Sequence, residues 1–127
     1  MAGPEKDGVV ASGIEVVEVA EAQGILSAGG GSPFSEEELR YARDRADPGR
    51  RLAARLAAKR AACRLLGGGV GEADVAVERG AYGPPSLRFS ARAHERMRAL
   101  GATRALVSLT HERKQAAALV VLLRDAR

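Results

Sequence analysis

Valine and isoleucine cluster first between residues 8 and 19, a β-branched run that predicts a strand. With a period of two, Glu15 shares one face with Val17 and Val19, while Glu18 shares the other with Ile14 and Val16. A carboxylate in an apolar strand is costly unless it is paired or holds a metal, so the pattern fits either an edge strand with one wet face or part of a site. Residues 20–32 have room for a short helix before the flexible Gly29-Gly30-Gly31-Ser32-Pro33. Ser35 followed by Glu36, Glu37 and Glu38 predicts an N-cap with acids in the first turn, opening a helix to about Ala46.

The pattern then becomes helical. At 100° per residue, Leu52, Leu56, Cys63 and Leu66 fall on one stripe. Arg51, Arg55 and Lys59 run beside it, and Arg60 and Arg64 form a second basic ridge. Asp47-Pro48 marks the start of this helix and Gly67 the stop. Two rows of cations beside an apolar stripe suit a polyphosphate ligand, and they equally describe a surface helix with snorkelling arginines. Strands are predicted at 74–79 and 86–89 around a turn at 80–85. A helix capped by Ser90 runs to Leu100, and two more strands lie at 104–109 and 116–123. The order predicts an α+β fold with a small antiparallel sheet packed with helices. One domain is expected over residues 8–127, after a segment over 1–7 that is expected to be disordered.

Composition narrows the partners. Aromatic residues are only 3% of the 127, with no Trp, which argues against base-stacking recognition of nucleic acid. The net charge of +4 favours an acidic partner or a phosphorylated ligand. Cys63, the single cysteine, reads as a buried small hydrophobe in a reducing compartment. Residues 1–8 lack a signal-peptide apolar core and no run reaches membrane-spanning length, so neither membrane nor nucleic acid is expected and the cytoplasm is.

Four blocks resemble the small bacterial holo-acyl-carrier-protein synthase type of 4′-phosphopantetheinyl transferase. Gly13-Ile14-Glu15-Val16-Val17-Glu18-Val19 is similar to the family's Gly-Ile-Asp-Ile-Val-Glu-Ile, and Phe34-Ser35-Glu36-Glu37-Glu38-Leu39 to its Phe-Thr-x-x-Glu-Leu. Arg55-Leu56-Ala57-Ala58-Lys59-Arg60-Ala61 resembles Arg-Phe-Ala-Ala-Lys-Glu-Ala. Val107-Ser108-Leu109-Thr110-His111, followed by Ala116-Ala117-Ala118-Leu119-Val120-Val121, is similar to the closing motif. The resemblance implies a 4′-phosphopantetheinyl transferase-like fold and binding of coenzyme A. It also implies Mg²⁺ on the pyrophosphate, transfer of the phosphopantetheine arm to a serine of an acyl carrier protein, and homotrimers with sites between subunits.

The same alignment shows departures. The family's two metal ligands, Asp and Glu, stand here as Glu15 and Arg60, and a guanidinium repels a cation rather than ligating it. Glu15 is the one residue left as a metal ligand. Glu21 replaces an arginine that helps dock the acidic carrier, Leu56 an aromatic, and Gln115 a tyrosine. Arg55, Lys59, Arg64, Gly67 and His111 keep groups that the resemblance assigns to coenzyme A; Glu15, Arg60 and His111 are the catalytic candidates, with Glu15 and Arg60 able to pair. Three readings stay open: a transferase in which Arg60 stands in for Mg²⁺, a binder whose Mg²⁺-dependent transfer is impaired, and a scaffold turned to a metal-independent reaction in a polyketide or fatty-acid-like pathway. His94 reads as a surface residue.

Overall fold

The computed structural model describes residues 7–31, 33–79 and 83–126. Along these the chain forms β1 (Gly8–Glu18), α1 (Val19–Ser27), α2 (Glu36–Arg43) and α3 (Pro48–Leu66). It continues with β2 (Val75–Arg79), β3 (Pro85–Phe89), α4 (Ala91–Ala99), β4 (Arg104–His111) and β5 (Gln115–Arg124). The predicted segment at 1–7 and the turn at 80–85 fall largely outside the described residues. The expected elements are otherwise present, with shifts at their ends. The second helix stops at Arg43 rather than Ala46, and Val19 begins α1 instead of ending β1.

Two antiparallel sheets result, β1-β5-β4 and the hairpin β2-β3. β1 is an edge strand, as the sequence allowed, and its alternation is clear: Val17 is buried while Ile14 and Val16 face outward. Ile14 lies opposite Leu119 and Val16 opposite Ala117.

Helix α3 packs on the inner face of the larger sheet and touches α1, α2, β1, β2, β4 and β5. It is not a surface helix. Leu52, Leu56 and Leu66 are buried, each stabilising the fold by roughly 1.5–3 kcal/mol. Ala53, Ala57, Ala58, Ala61 and Ala62 are buried as well, and their small side chains let neighbouring elements approach closely. Cys63, expected in the core, is only partly covered at the edge of the second apolar cluster.

Two end signals act as expected. The Ser35 side chain accepts a hydrogen bond from the Glu38 amide at 3.1 Å while Glu38 Oε1 accepts from the Ser35 amide at 2.9 Å, a reciprocal capping box. Gly67 ends α3 at φ +62°, ψ −153°, a conformation that other residues rarely adopt.

Candidate functional site

The basic residues of α3 divide into three environments that the linear pattern does not distinguish. The first is at the helix's N-terminal half. Arg51 and Arg55 meet Arg79 from the end of β2 and His111 from the end of β4 around a cleft of about 320 Å³. Arg55 is 3% exposed, yet its Nε has no hydrogen-bond partner, and neither does the buried Nδ1 of His111, among the described residues. Two orphaned polar atoms in one cationic cleft are polar groups shaped for an anion. Burial lowers Arg55 toward its neutral form, opposed mainly by Tyr41 and Glu38. At the rim, Asp47 accepts from Arg51 Nε at 3.3 Å. Burial raises the Asp47 carboxyl, but Arg51, His111 and Arg50 outweigh it and leave it below the ordinary range.

Tyr41 of α2 lines a neighbouring, larger cleft of about 540 Å³ between α2 and the β2-β3 hairpin, which shares Arg55 and Arg79 with the first. Its ring lies 4.2 Å from the Arg55 guanidinium carbon and 4.3 Å from that of Arg45. Neither Tyr41 nor Arg79 stood out in the sequence. A cation at a strand end beside a glycine reads as an ordinary turn residue, and a lone tyrosine on a short helix reads as packing.

The second environment belongs to Lys59, and it corrects an expectation. Lys59 is 1% exposed, so it presents no ammonium to a phosphate. Its Nζ lies 2.8 Å from Glu38 Oε1 and donates to the Val75 carbonyl at 2.5 Å, while Glu38 Oε2 accepts from the Val77 amide at 2.7 Å. Glu38, read from the sequence as only a first-turn acid, is half of a buried ion pair that ties α2 and α3 to β2.

The third environment is the C-terminal half of α3, and it corrects a second expectation: Glu15 and Arg60 do not pair. Glu15 Oε2 lies 2.5 Å from Arg64 Nη2, which also donates to the Ile14 carbonyl at 2.7 Å. Arg60 makes a two-pronged ion pair with Glu21 of α1, and its Nε reaches Glu72 at 3.2 Å. Hydrogen bonding to Glu21 is the largest cause holding Arg60 in its charged form, and Arg60 in turn holds the Glu21 carboxyl below its ordinary value. With Glu21 and Glu72 each −1 and Arg60 +1, this trio sums to −1 and offers no positive charge to a pyrophosphate. Arg64 is freer, with 59% of its side chain exposed. Gly67 follows one turn later and caps the helix.

The Mg²⁺ implied by the resemblance does not suit this donor set. Each carboxylate on the rim already faces a guanidinium, and octahedral Mg²⁺ would have to displace both arginines to reach them. Arg55 and Arg64 are nine positions apart, about 13 Å along the helix, so one chain presents the anion cleft and the Glu15 rim as separate patches. His94 is exposed and meets Phe89 edge-on at 5.8 Å, in keeping with a surface role.

Comparison with known proteins places this geometry. No family model matches the chain. The holo-[acyl-carrier-protein] synthase of Anaeromyxobacter sp. (strain K) is 40% identical over 126 residues, covering 90% of this chain and 95% of that protein. The chain belongs to the holo-[acyl-carrier-protein] synthase family. The crystal structure of the synthase from Neisseria meningitidis shares the fold with a TM-score of 0.75 at 21% identity, covering 91% of this chain and 98% of that one. A complex with CoA from Chronobacterium ammoniagenes superposes with a TM-score of 0.71 at 26% identity, covering 92% and 98%.

Proposed function

We propose that this family member binds coenzyme A without help from Mg²⁺, and that its Mg²⁺-dependent transfer of phosphopantetheine to an acyl carrier protein is impaired. The observation that carries the reading is the cleft between Arg51, Arg55, Arg79 and His111, where two buried polar atoms lack partners. A phosphate there would accept from Arg55 Nε and from His111 in its Nδ1-protonated form. Arg64, exposed and sharing its charge with Glu15, would meet the ligand near Gly67 at the other end of α3, whereas Lys59 is committed to Glu38. The CoA named with the Chronobacterium complex and the activity named for the curated relatives support the same ligand and partner class.

Of the catalytic candidates, His111 sits in the anion cleft, while Glu15 and Arg60 are held in ion pairs of their own. Glu21 is exposed on α1, and an acidic carrier approaching this face would meet a carboxylate rather than an arginine.

Association between copies fits the outer face of the larger sheet. Val9, Ile14, Val16, Leu106 and Leu119 are exposed there, 39–64% each, in adjacent registers. A homotrimer packed through this face would cover them and could bring one copy's anion cleft toward another's Glu15 rim. No described helix is long and apolar enough to cross a membrane, and the unpaired Cys63 is in keeping with a reducing cytoplasm.

The test is calorimetric titration of coenzyme A with and without Mg²⁺, followed by mass spectrometry of an acyl carrier protein incubated with both. Binding of equal strength in the two conditions, with little modified carrier, is the expected result. Binding that requires Mg²⁺ overturns it, and no binding in either condition points to a scaffold serving another reaction.

A further inference from the structure

We propose that Tyr41 is a positioning residue for the anion cleft: its ring holds the Arg55 guanidinium in place, and its phenol sets the alkaline limit of anion binding. This rests on the reading of that cleft as a phosphate site of coenzyme A.

Arg55 is buried without the anchor that such a cation normally has. Among the described residues it forms no ion pair. Its Nη1 donates to the Arg51 carbonyl at 3.4 Å and its side chain hydrogen-bonds Tyr41, while its Nε has no partner. Glu38 is the acid that acts on it, but both Glu38 oxygens are already engaged by Lys59, the Ser35 amide and the Val77 amide. What lies flat against the guanidinium is Tyr41, at 4.2 Å, itself backed by Arg45 at 4.3 Å. The ring fixes the guanidinium by stacking and the side chain adds a hydrogen bond to Arg55, yet Nε stays unpartnered and is left for a ligand.

The phenol adds a second property. Burial pushes its pKa up, but the hydrogen bond from Arg45 and the charges of Arg55, Arg45 and Arg51 outweigh burial and hold it below the ordinary tyrosine value. The surrounding cleft also carries Glu37, Glu38 and Arg40 from α2 and Asp44 just past its end. The hairpin adds Glu78, Arg79 and Arg88. Arg88 is occupied by Glu37 and Glu78. Raising the pH through the phenol's pKa places a negative charge against Arg55 and Arg51, which cancels part of the attraction for an anion.

The probe is adenosine 3′,5′-bisphosphate, the nucleotide that leaves when phosphopantetheine is transferred and one without the coenzyme's titrating thiol. Its affinity would be measured by calorimetry from neutral to strongly alkaline pH for the wild type, Y41F and Y41L. Ultraviolet difference titration against Y41F isolates Tyr41 from the other of the two tyrosines. At neutral pH, Y41F keeps the ring but loses the phenol's hydrogen bonds and should bind about two- to threefold more weakly than the wild type, and Y41L about five- to tenfold more weakly. The wild type should then lose affinity several-fold on alkaline titration, in step with the phenol, while Y41F does not. Superposable alkaline profiles for wild type and Y41F, or full affinity in Y41L, overturn the role of Tyr41 while leaving the cleft assignment standing. A wild type that does not bind the probe at neutral pH overturns the cleft assignment and this inference with it.

Discussion

Glu21 and Arg60 provide the sharpest test of how the rim is built. By resemblance, the family has an arginine at the first position and a glutamate at the second, so this chain has the two charges exchanged, and the structure shows them in direct contact. Reversing either charge alone should therefore be costly, and reversing both should recover much of the loss. The side chains of Arg60 and Glu21 are 33% and 45% exposed, which discounts the pair to about 1 kcal/mol despite its two-pronged geometry. E21R removes that attraction and sets two cations together, for a loss of about 1–2 kcal/mol. R60E also loses Glu72 and gathers three carboxylates, for about 2–3 kcal/mol. The double variant restores the central pair but leaves the new glutamate against Glu72, a net loss of about 1 kcal/mol. The interaction energy of the cycle is therefore about 2–4 kcal/mol.

Thermal and urea unfolding of the four proteins would measure it. R60E should melt roughly 8–10 °C below the wild type, the double variant should regain more than half of that, and added salt should shrink the differences. The acid response has a definite sign. Because Arg60 holds the folded-state Glu21 carboxyl below its unfolded value, its stabilisation is full above the ordinary carboxylate range and fades as pH falls through the folded value. The gap between wild type and E21Q should accordingly close on acidification. Strictly additive single variants would falsify the contact. Adding E15D to R60E should produce Mg²⁺ affinity, read by calorimetry with the metal alone, since two adjacent carboxylates would then lack one of their arginines.

Three further outcomes follow from the packing. K59M strands the buried Glu38 carboxylate and should cost about 3–5 kcal/mol in urea unfolding, whereas E38Q/K59M should be milder because the stranded charge is gone. The Cys63 thiol, pushed up to about 11 chiefly by burial and then by Glu72 and Asp74, should react with iodoacetamide far more slowly at pH 8 than the unfolded chain does, and equal rates would contradict its environment. L119K, at the centre of the exposed apolar sheet face, should lower the mass seen in sedimentation without changing the circular dichroism of the chain.

How far the sequence could be read depended on the range of the interactions. The period-two run around Glu15, the Ser35 cap and the glycine stop at Gly67 are local signals, and each of these elements formed where expected. The environments of the cations on α3 were not local. Arg55, Lys59 and Arg60 lie within six positions of one another, yet one is stacked on Tyr41, one is buried with Glu38 and one is clamped by Glu21 and Glu72. Helical periodicity assigns a residue to a face but is silent on what another element brings to that face. Surface snorkelling failed as a description for the same reason: alanines on every side of α3 let sheet and helices close around it, leaving Arg55 and Lys59 almost entirely covered.

The departures at Glu21 and Arg60 show what contact adds to an alignment. Taken one at a time, each reads as loss: a docking arginine turned acidic and a metal ligand turned basic. Taken together in space, each supplies the counter-charge that the other needs, so the rim remains an organised ionic cluster even though its chemistry differs from that implied by the resemblance. An unpaired arginine here could have lent its charge to a pyrophosphate. Arg60, held between two carboxylates, has that charge already neutralised, as Glu15 neutralises Arg64, so positive potential for the ligand comes mainly from the cleft around Arg55. On the function proposed above, anion binding and metal-dependent transfer rest on different residues, so the first would survive a loss of the second.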